Sequence, residues 1–321
     1  MLTPSPLRLV FIGSADSLGS AVLLSLLYRH QVVAVVECAP ASYRPNRWRQ
    51  AAKEWQDLQR VVQGRTSLLW LARLQRLPYL YWHPGDDEAC LALIAQQQPD
   101  ALCVAAANRT LPPAMLEHSR LGNLSVHPSL LPDYRGAEPL LWQYYYGDLR
   151  GGVTVHVLDE GENTGDIVQQ AELEIPLGAP LSSLMRSYDQ LASSLMLQAL
   201  NDLSSRQARL IAQAHLPCPN PAPRVQPGDM QIDWQDAENW PLARVWHVLR
   251  GIHNEREDLK LLPYAGHGVS WRIGQTQPGS RANILPGRIG FDGRGQFVQH
   301  LEGKIRLSTE FSLRRWLFDV I

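Results

Sequence analysis

The sequence predicts an α/β protein with a mostly parallel sheet, followed by a smaller, mostly-β domain. Three observations carry that prediction. Short, continuous apolar runs alternate with helix-patterned segments through the first part of the chain. A proline-rich stretch then interrupts all regular structure. Beyond it, short strand-like runs are separated by Gly-rich turns.

The first apolar run is Arg8 to Ile12, ending at Gly13, and a helical pattern follows from Ser17 to Tyr28. The next run, Val32 to Val36, reads VVAVV, as a strand buried on both faces should. Between Pro45 and Arg76, Trp, Arg and Gln recur at helical spacing, which predicts one or two helices over the sheet. The alternation resumes with Tyr79 to Trp82, a helix over Asp87 to Gln97, and Ala101 to Ala107. A short helix is predicted from Pro112 to His118, with proline at its start. Strands follow at Asn123 to Val126, Gly152 to Leu158 and Ile167 to Ile175, then an amphipathic helix from Leu181 to Leu203.

Five prolines between His215 and Gly228 exclude a helix or a central strand there. The expected division is therefore a first domain over 1–205, a Pro-rich linker over 206–228 and a second domain over 229–321. In the last part MQIDW, GVSWRI, GRIGF, FVQHL and KIRLS read as strands, with one helix from about Pro241 to Gly251, so a small β-barrel is expected.

Composition excludes several classes. The chain has 321 residues, 45% hydrophobic and 19% charged, a globular balance with a formal charge of −1. Only three of the 30 basic side chains are lysines. From Arg206 onward 15 basic residues face 11 acidic ones, too small an excess to argue nucleic-acid binding by itself. No apolar run is long enough for a membrane span, and the N-terminus lacks a secretory pattern, so a cytoplasmic protein is expected. The four scattered cysteines form no CxxC pair, which argues for free, mostly buried thiols and against a zinc site. His247 and His253 are not spaced as metal ligands on one helical face, so no metal is expected. GSADSLGS after the first strand does not complete a nucleotide-binding glycine pattern.

The chemistry concentrates in GNLSVHPSLLPDYRG (Gly122 to Gly136) and in GGVTVHVLDEGENTGDI. Pro128 stops the strand that ends at His127, which sets this histidine at a carboxyl end, where open parallel sheets place ligands. The loop Asp159 to Asp166 follows the next strand and can reach the same rim. A histidine facing a polar loop suits proton transfer or oxyanion stabilisation.

HPSLLPDYRG followed by GVTVHVLDEG and TGDI closely resembles the formyltransferases that use N10-formyltetrahydrofolate, a group that includes methionyl-tRNA and sugar N-formyltransferases. PDALCVAAANRTLP, FIGSADSLGS, DMQIDW and VWHVLRGI extend the likeness along most of the chain; it is weakest from Ala39 to Arg76. The resemblance implies a Rossmann-like domain plus a small C-terminal OB-like barrel. It implies a folate donor held by Asn108, Arg109, Leu111, Asp159, Glu160, Glu162 and Thr164, and transfer to an amine acceptor, a specialised small amine or methionyl-tRNA. It also implies three polar residues around the tetrahedral intermediate: an Asn and a His in NxHxSLLP, and an Asp before TG.

Only His127 of that trio is present. Ser125 stands where the pattern has Asn, and Asn163 where it has Asp. Ser125 has one short donor, and Asn163 can neither carry negative charge nor act as a base. Asn123 on the same strand face, or a loop acid such as Glu162, is a candidate substitute. Two readings follow: a formyltransferase with an altered site, or a non-catalytic folate-binding or protein-binding relative. A hydrolase that releases formate ranks last, since its water would need a base.

Overall fold

The computed structural model describes residues 5–213, 215–225, 234–237, 239–253, 262, 265 and 269–312. The elements run in the expected alternation: β1 (Arg8–Gly13), α1 (Ser17–Arg29), β2 (Gln31–Cys38), α2 (Arg47–Val62), α3 (Leu68–Leu74), β3 (Tyr79–Trp82), α4 (Asp87–Gln97), β4 (Ala101–Ala105), α5 (Pro113–Leu116) and β5 (Gly122–His127). Then come α6 (Pro139–Tyr146), β6 (Arg150–Val157), β7 (Ile167–Glu174), α7 (Leu181–Ser204), α8 (Trp234–Ala237), α9 (Leu242–Ile252), β8 (Val269–Pro278), β9 (Ile289–Asp292), β10 (Gly295–His300) and β11 (Gly303–Phe311).

By packing, the chain divides into two compact units. The first comprises Met1–Pro139, Gly151–Leu173 and Met185–Ala222; the second comprises Leu140–Arg150, Glu174–Leu184 and Pro223–Ile321. Residues 140–150 and 174–184 thus pack with the later part of the chain. Most of the segment expected as a linker packs with the first unit, tied there by backbone bonds from Tyr134 to Asn220 and from Glu138 to Ala222.

The first unit is built on a seven-stranded sheet in the order β3-β2-β1-β4-β5-β6-β7. Strands β1 to β5 pair in parallel, and β6 runs antiparallel to β5. The parallel strands are fully buried runs such as LVFI and VVAVV, because helices cover them. Val10, Ile12, Val36, Leu102 and Val104 form one apolar layer with Ile94 of α4 and Met115 of α5.

The second unit holds an antiparallel sheet in the order β8-β11-β10-β9. Among the described residues the mostly-β part of the expectation takes the form of a four-stranded sheet with β8 and β9 at its edges. Its core gathers Leu141 and Tyr144 of α6, Val245 and Val248 of α9, Trp271, Val298 and Ile305. His247 belongs to this core: it stacks on Tyr144 at 4.5 Å and its Nδ1 accepts from the Gly178 N–H at 2.9 Å. Of the expected strand MQIDW only Trp234 falls within the described residues, and it opens α8. The four cysteines are unbridged and three are buried. No helix among the described residues is long and apolar enough to cross a membrane.

Candidate functional site

Strand β5 alternates, so Asn123, Ser125 and His127 project from one face of the sheet. The antiparallel register sets His156 of β6 directly opposite Ser125, and Thr154 opposite His127. Four polar side chains therefore line one face at the end of β5, while Leu124, Val126, Val155 and Val157 occupy the other.

His127 is 4% exposed. Its Nε2 lies 2.8 Å from the Tyr134 carbonyl. A carbonyl only accepts, so Nε2 carries the proton and Nδ1 the lone pair. Burial pushes this imidazole down to about 4; the Tyr134 hydrogen bond works against that shift and neighbouring His156 adds to it. His127 is therefore neutral at pH 7.

His156 is the residue that sequence reasoning missed. It is 1% exposed and its Nδ1 donates to the Val157 carbonyl at 2.8 Å. Its Nε2 is buried without a hydrogen-bond partner. Burial lowers its pKa, the Val157 hydrogen bond and Asp159 oppose that, and Arg135 reinforces it. The sequence signal existed in GVTVHVL, but only the antiparallel register shows that this histidine faces Ser125.

Asn163 sits in the left-handed region at φ +57°, where Asn is among the better-tolerated residues. Its Oδ1 accepts from the Gly136 N–H at 3.0 Å. One short loop, Tyr134 to Gly136, thus receives both His127 and Asn163. Thr164 Oγ1 donates to Asp159 at 2.8 and 2.9 Å, and the Gly161 N–H adds a bond to the same carboxylate at 3.1 Å, closing the loop on itself. Glu160 and Glu162 are exposed.

A further clamp comes from the Pro-rich segment. Gln213 is fully buried. Its Nε2 donates to the Asn163 and Gly165 carbonyls at 3.2 and 2.7 Å. Its Oε1 and backbone carbonyl accept from Arg135 at 3.0 and 2.6 Å. A Cβ at Gly165 would run into the Val157 carbonyl, so glycine lets this loop close onto β6.

The other expected donor-side residues are dispersed in role. Asn108 Nδ2 donates to the Ala39 carbonyl at 3.2 Å. The Arg109 guanidinium lies over the Trp82 ring, 4.4 Å from its centroid. Leu111 is buried in the apolar layer, so its side chain is core. Asn123 is no spare amide either: it accepts from Ser119 at 2.9 Å and donates to the Leu116 carbonyl at 2.8 Å, pinning α5.

At the carboxyl ends of β1 and β2 lies a pocket of about 300 Å³ whose lining includes Asp16, Glu37, Lys53, Asp57, Arg60 and Asn108. Lys53 sits between Glu37 at 2.9 Å and Asp57 at 2.5 Å, and Tyr79 donates to Glu37 at 2.8 Å.

Fold and rim together define an α/β protein with a polar cluster at the carboxyl ends of its strands, the place where open sheets of this class bind ligands. The chain belongs to the formyl transferase family, whose pattern residues 7–200 match. It is 37% identical over 216 residues to the methionyl-tRNA formyltransferase of Syntrophus aciditrophicus (strain SB), a match covering 64% of each chain and so less than two thirds of that relative. Its fold is similar to that of WlaRD, a sugar 3N-formyl transferase solved in the presence of dTDP and 5-N-formyl-THF (TM-score 0.64, 13% identity, 96% of this chain and 99% of that one). It is also similar to that of HypX from Aquifex aeolicus in complex with tetrahydrofolic acid (TM-score 0.56, 15% identity, 94% of this chain and 44% of that one).

Proposed function

We propose that this protein transfers a formyl group from N10-formyltetrahydrofolate to an amine, with a site altered for a specialised acceptor. The carrying observation is the pair of buried imidazoles flanking Ser125, one of them with an unsatisfied nitrogen. Such a nitrogen is costly to bury unless something meets it. A reacting amine at the rim supplies the missing partner.

The donor, when bound, supplies an activated formyl carbon. His156 Nε2 takes the proton that the amine sheds as its nitrogen bonds to that carbon, and returns it to the departing nitrogen. Ser125 Oγ–H donates to the formyl oxygen as negative charge grows there. His127, neutral and held by Tyr134, fixes the face on which this happens and offers Nδ1 as a second acceptor. Asn163 shapes the loop, with Asp159 and Thr164 bracing its far side. Methionyl-tRNA, the acceptor named for the relative, is the competing acceptor. Four unbridged cysteines support a reducing cytosol. The sheet of the second unit is read as part of a small barrel.

One observation favours a second reading, a folate-binding relative without turnover: Asn163 spends its side-chain oxygen on the Gly136 backbone. Labelled formyl transfer to a panel of amines and to charged tRNA, run beside tetrahydrofolate calorimetry, separates the readings. Turnover supports the first, and binding without turnover establishes the second. Absence of both defeats both. The double variant Ser125→Asn with Asn163→Asp is expected to raise an existing rate by about tenfold or more.

A further inference from the structure

Helix α2 is inside out. A surface helix normally turns its apolar stripe to the core and its charges to water. Here the only buried residue of the helix is Asp57. Lys53, Gln56, Asp57 and Arg60 face inward and line the charged pocket. Lys53 is ion-paired there, and Arg60 donates to the Ala15 carbonyl.

The apolar residues lie on the other side. Trp48, Ala51, Trp55, Leu58 and Val62 follow the spacing i, i+3, i+7, i+10 and i+14, and all are exposed. At 3.6 residues per turn their centre lies about 170° from the inward charges. Trp48 is 78% exposed, Trp55 61% and Val62 80%. Each tryptophan can bury about 150–250 Å², so the two hold out roughly 200–350 Å² between them. Leu58 and Val62 extend the same stripe. A monomer's largest apolar patch is about 300–600 Å² and is often functional.

The geometry points to a second copy of this chain as the occupant, the two α2 stripes packing against each other across a two-fold axis. A two-fold interface sets the same patch on both sides, so it must not repel itself. The flanks of this stripe satisfy that condition. Ala52 and Gln59 are uncharged on one side, and Arg47 and Glu54 are of opposite sign on the other. The heptad-like spacing is that of paired helices, and Ala51 leaves room for an opposing tryptophan. Doubling the patch brings the apolar area towards the roughly 1,000 Å² that a specific interface needs. A helix lying on a lipid surface would present lysines and arginines beside its apolar face. Here Lys53 and Arg60 point the other way and are already bonded, and on the flank Arg47 lies over the Trp48 ring while Glu54 pairs with Arg73, so the rim is of mixed sign.

Sedimentation velocity of the full chain over a concentration series tests this. The expected result is a monomer–dimer equilibrium. Trp55→Glu should raise the dimer dissociation constant by about tenfold or more, because it would bury an unpaired carboxylate. Val62→Glu should act the same way, and neither change should alter circular dichroism, or the thermal midpoint at concentrations where the protein is monomeric, since both positions are exposed. A monomer at every concentration overturns the proposal. So does a dimer insensitive to both substitutions. Binding of a monomeric protein to anionic vesicles that is lost in Trp55→Glu would assign the stripe to membrane instead.

Discussion

The two ends of the first unit's sheet treat buried polarity in opposite ways. Around β5 and β6 the buried groups are neutral: Ser125, His127, Thr154 and His156, met largely by backbone carbonyls and N–H groups. Around β2 and α2 they are charged: Glu37 and Asp57 close on Lys53, with Tyr79 and Ser67 completing the network. The difference teaches where chemistry can reside. A carboxylate pinned by an ammonium is held for structure, because its charge is already answered. A buried neutral imidazole with an unanswered nitrogen is available for a proton. Under the proposed function, the first region reacts and the second holds.

The sharpest way to break that contrast is to remove one member from each region. His156→Ala should lower formyl transfer by about 10²–10⁴-fold, the usual worth of a positioned acid–base group. Its fold, followed by circular dichroism, should survive. Lys53→Met should do the reverse. It leaves Glu37 and Asp57 buried without their cation, which costs about 3–5 kcal/mol in urea unfolding at pH 7. If Lys53→Met abolished turnover at unchanged stability, the division between reacting and holding regions would be wrong.

Acid titration sharpens the same point. The ordinary pKa of His127, 6.5, applies to the unfolded chain, and burial depresses it to about 4 in the fold. Above pH 6.5 neither state is protonated at this site and its full contribution to stability is present. As pH falls from 6.5 towards 4, the unfolded chain takes up the proton first and stability declines, by up to about 3 kcal/mol from this group alone. Urea titrations between pH 7 and pH 4 should show that loss, and His127→Gln should flatten it. His247 in the second unit, also lowered to about 4 by burial, adds a slope of the same sign that His127→Gln leaves in place.

The reacting region was half legible in the sequence. Pro128 ends a strand at His127, so the position of that imidazole follows from local chemistry. His156 required the β5–β6 register, a non-local fact that periodicity cannot supply. Asn163 read as a lost base. Its bond to Gly136 depends on two loops meeting, which no short window encodes. Leu111 read as a ligand contact through its neighbours Asn108 and Arg109, but its apolar side chain went to the core. The holding region was less legible still. Helices were predicted between Pro45 and Arg76, yet an apolar stripe on a helix normally marks its inner face, and in α2 it marks the outer one. The Pro-rich stretch was recognised by its prolines, whereas its grip on the site comes from Gln213 together with the Leu216 and Asn220 carbonyls that receive Arg135 and Tyr134.

That glutamine supplies the smallest effect of the set. Gln213→Ala removes the donor to the Asn163 and Gly165 carbonyls and one acceptor from Arg135, but leaves the backbone carbonyl that also receives Arg135. The stability cost should be about 1–3 kcal/mol, the range for buried groups that lose a partner. Hydrogen exchange should quicken at residues 163–165 and at 134–136 together, because one side chain braces both loops. If only the first loop loosens, the Gln213 and Leu216 backbone carbonyls suffice to hold Arg135, and the clamp acts on the Asn163 side of the reacting region and not across it.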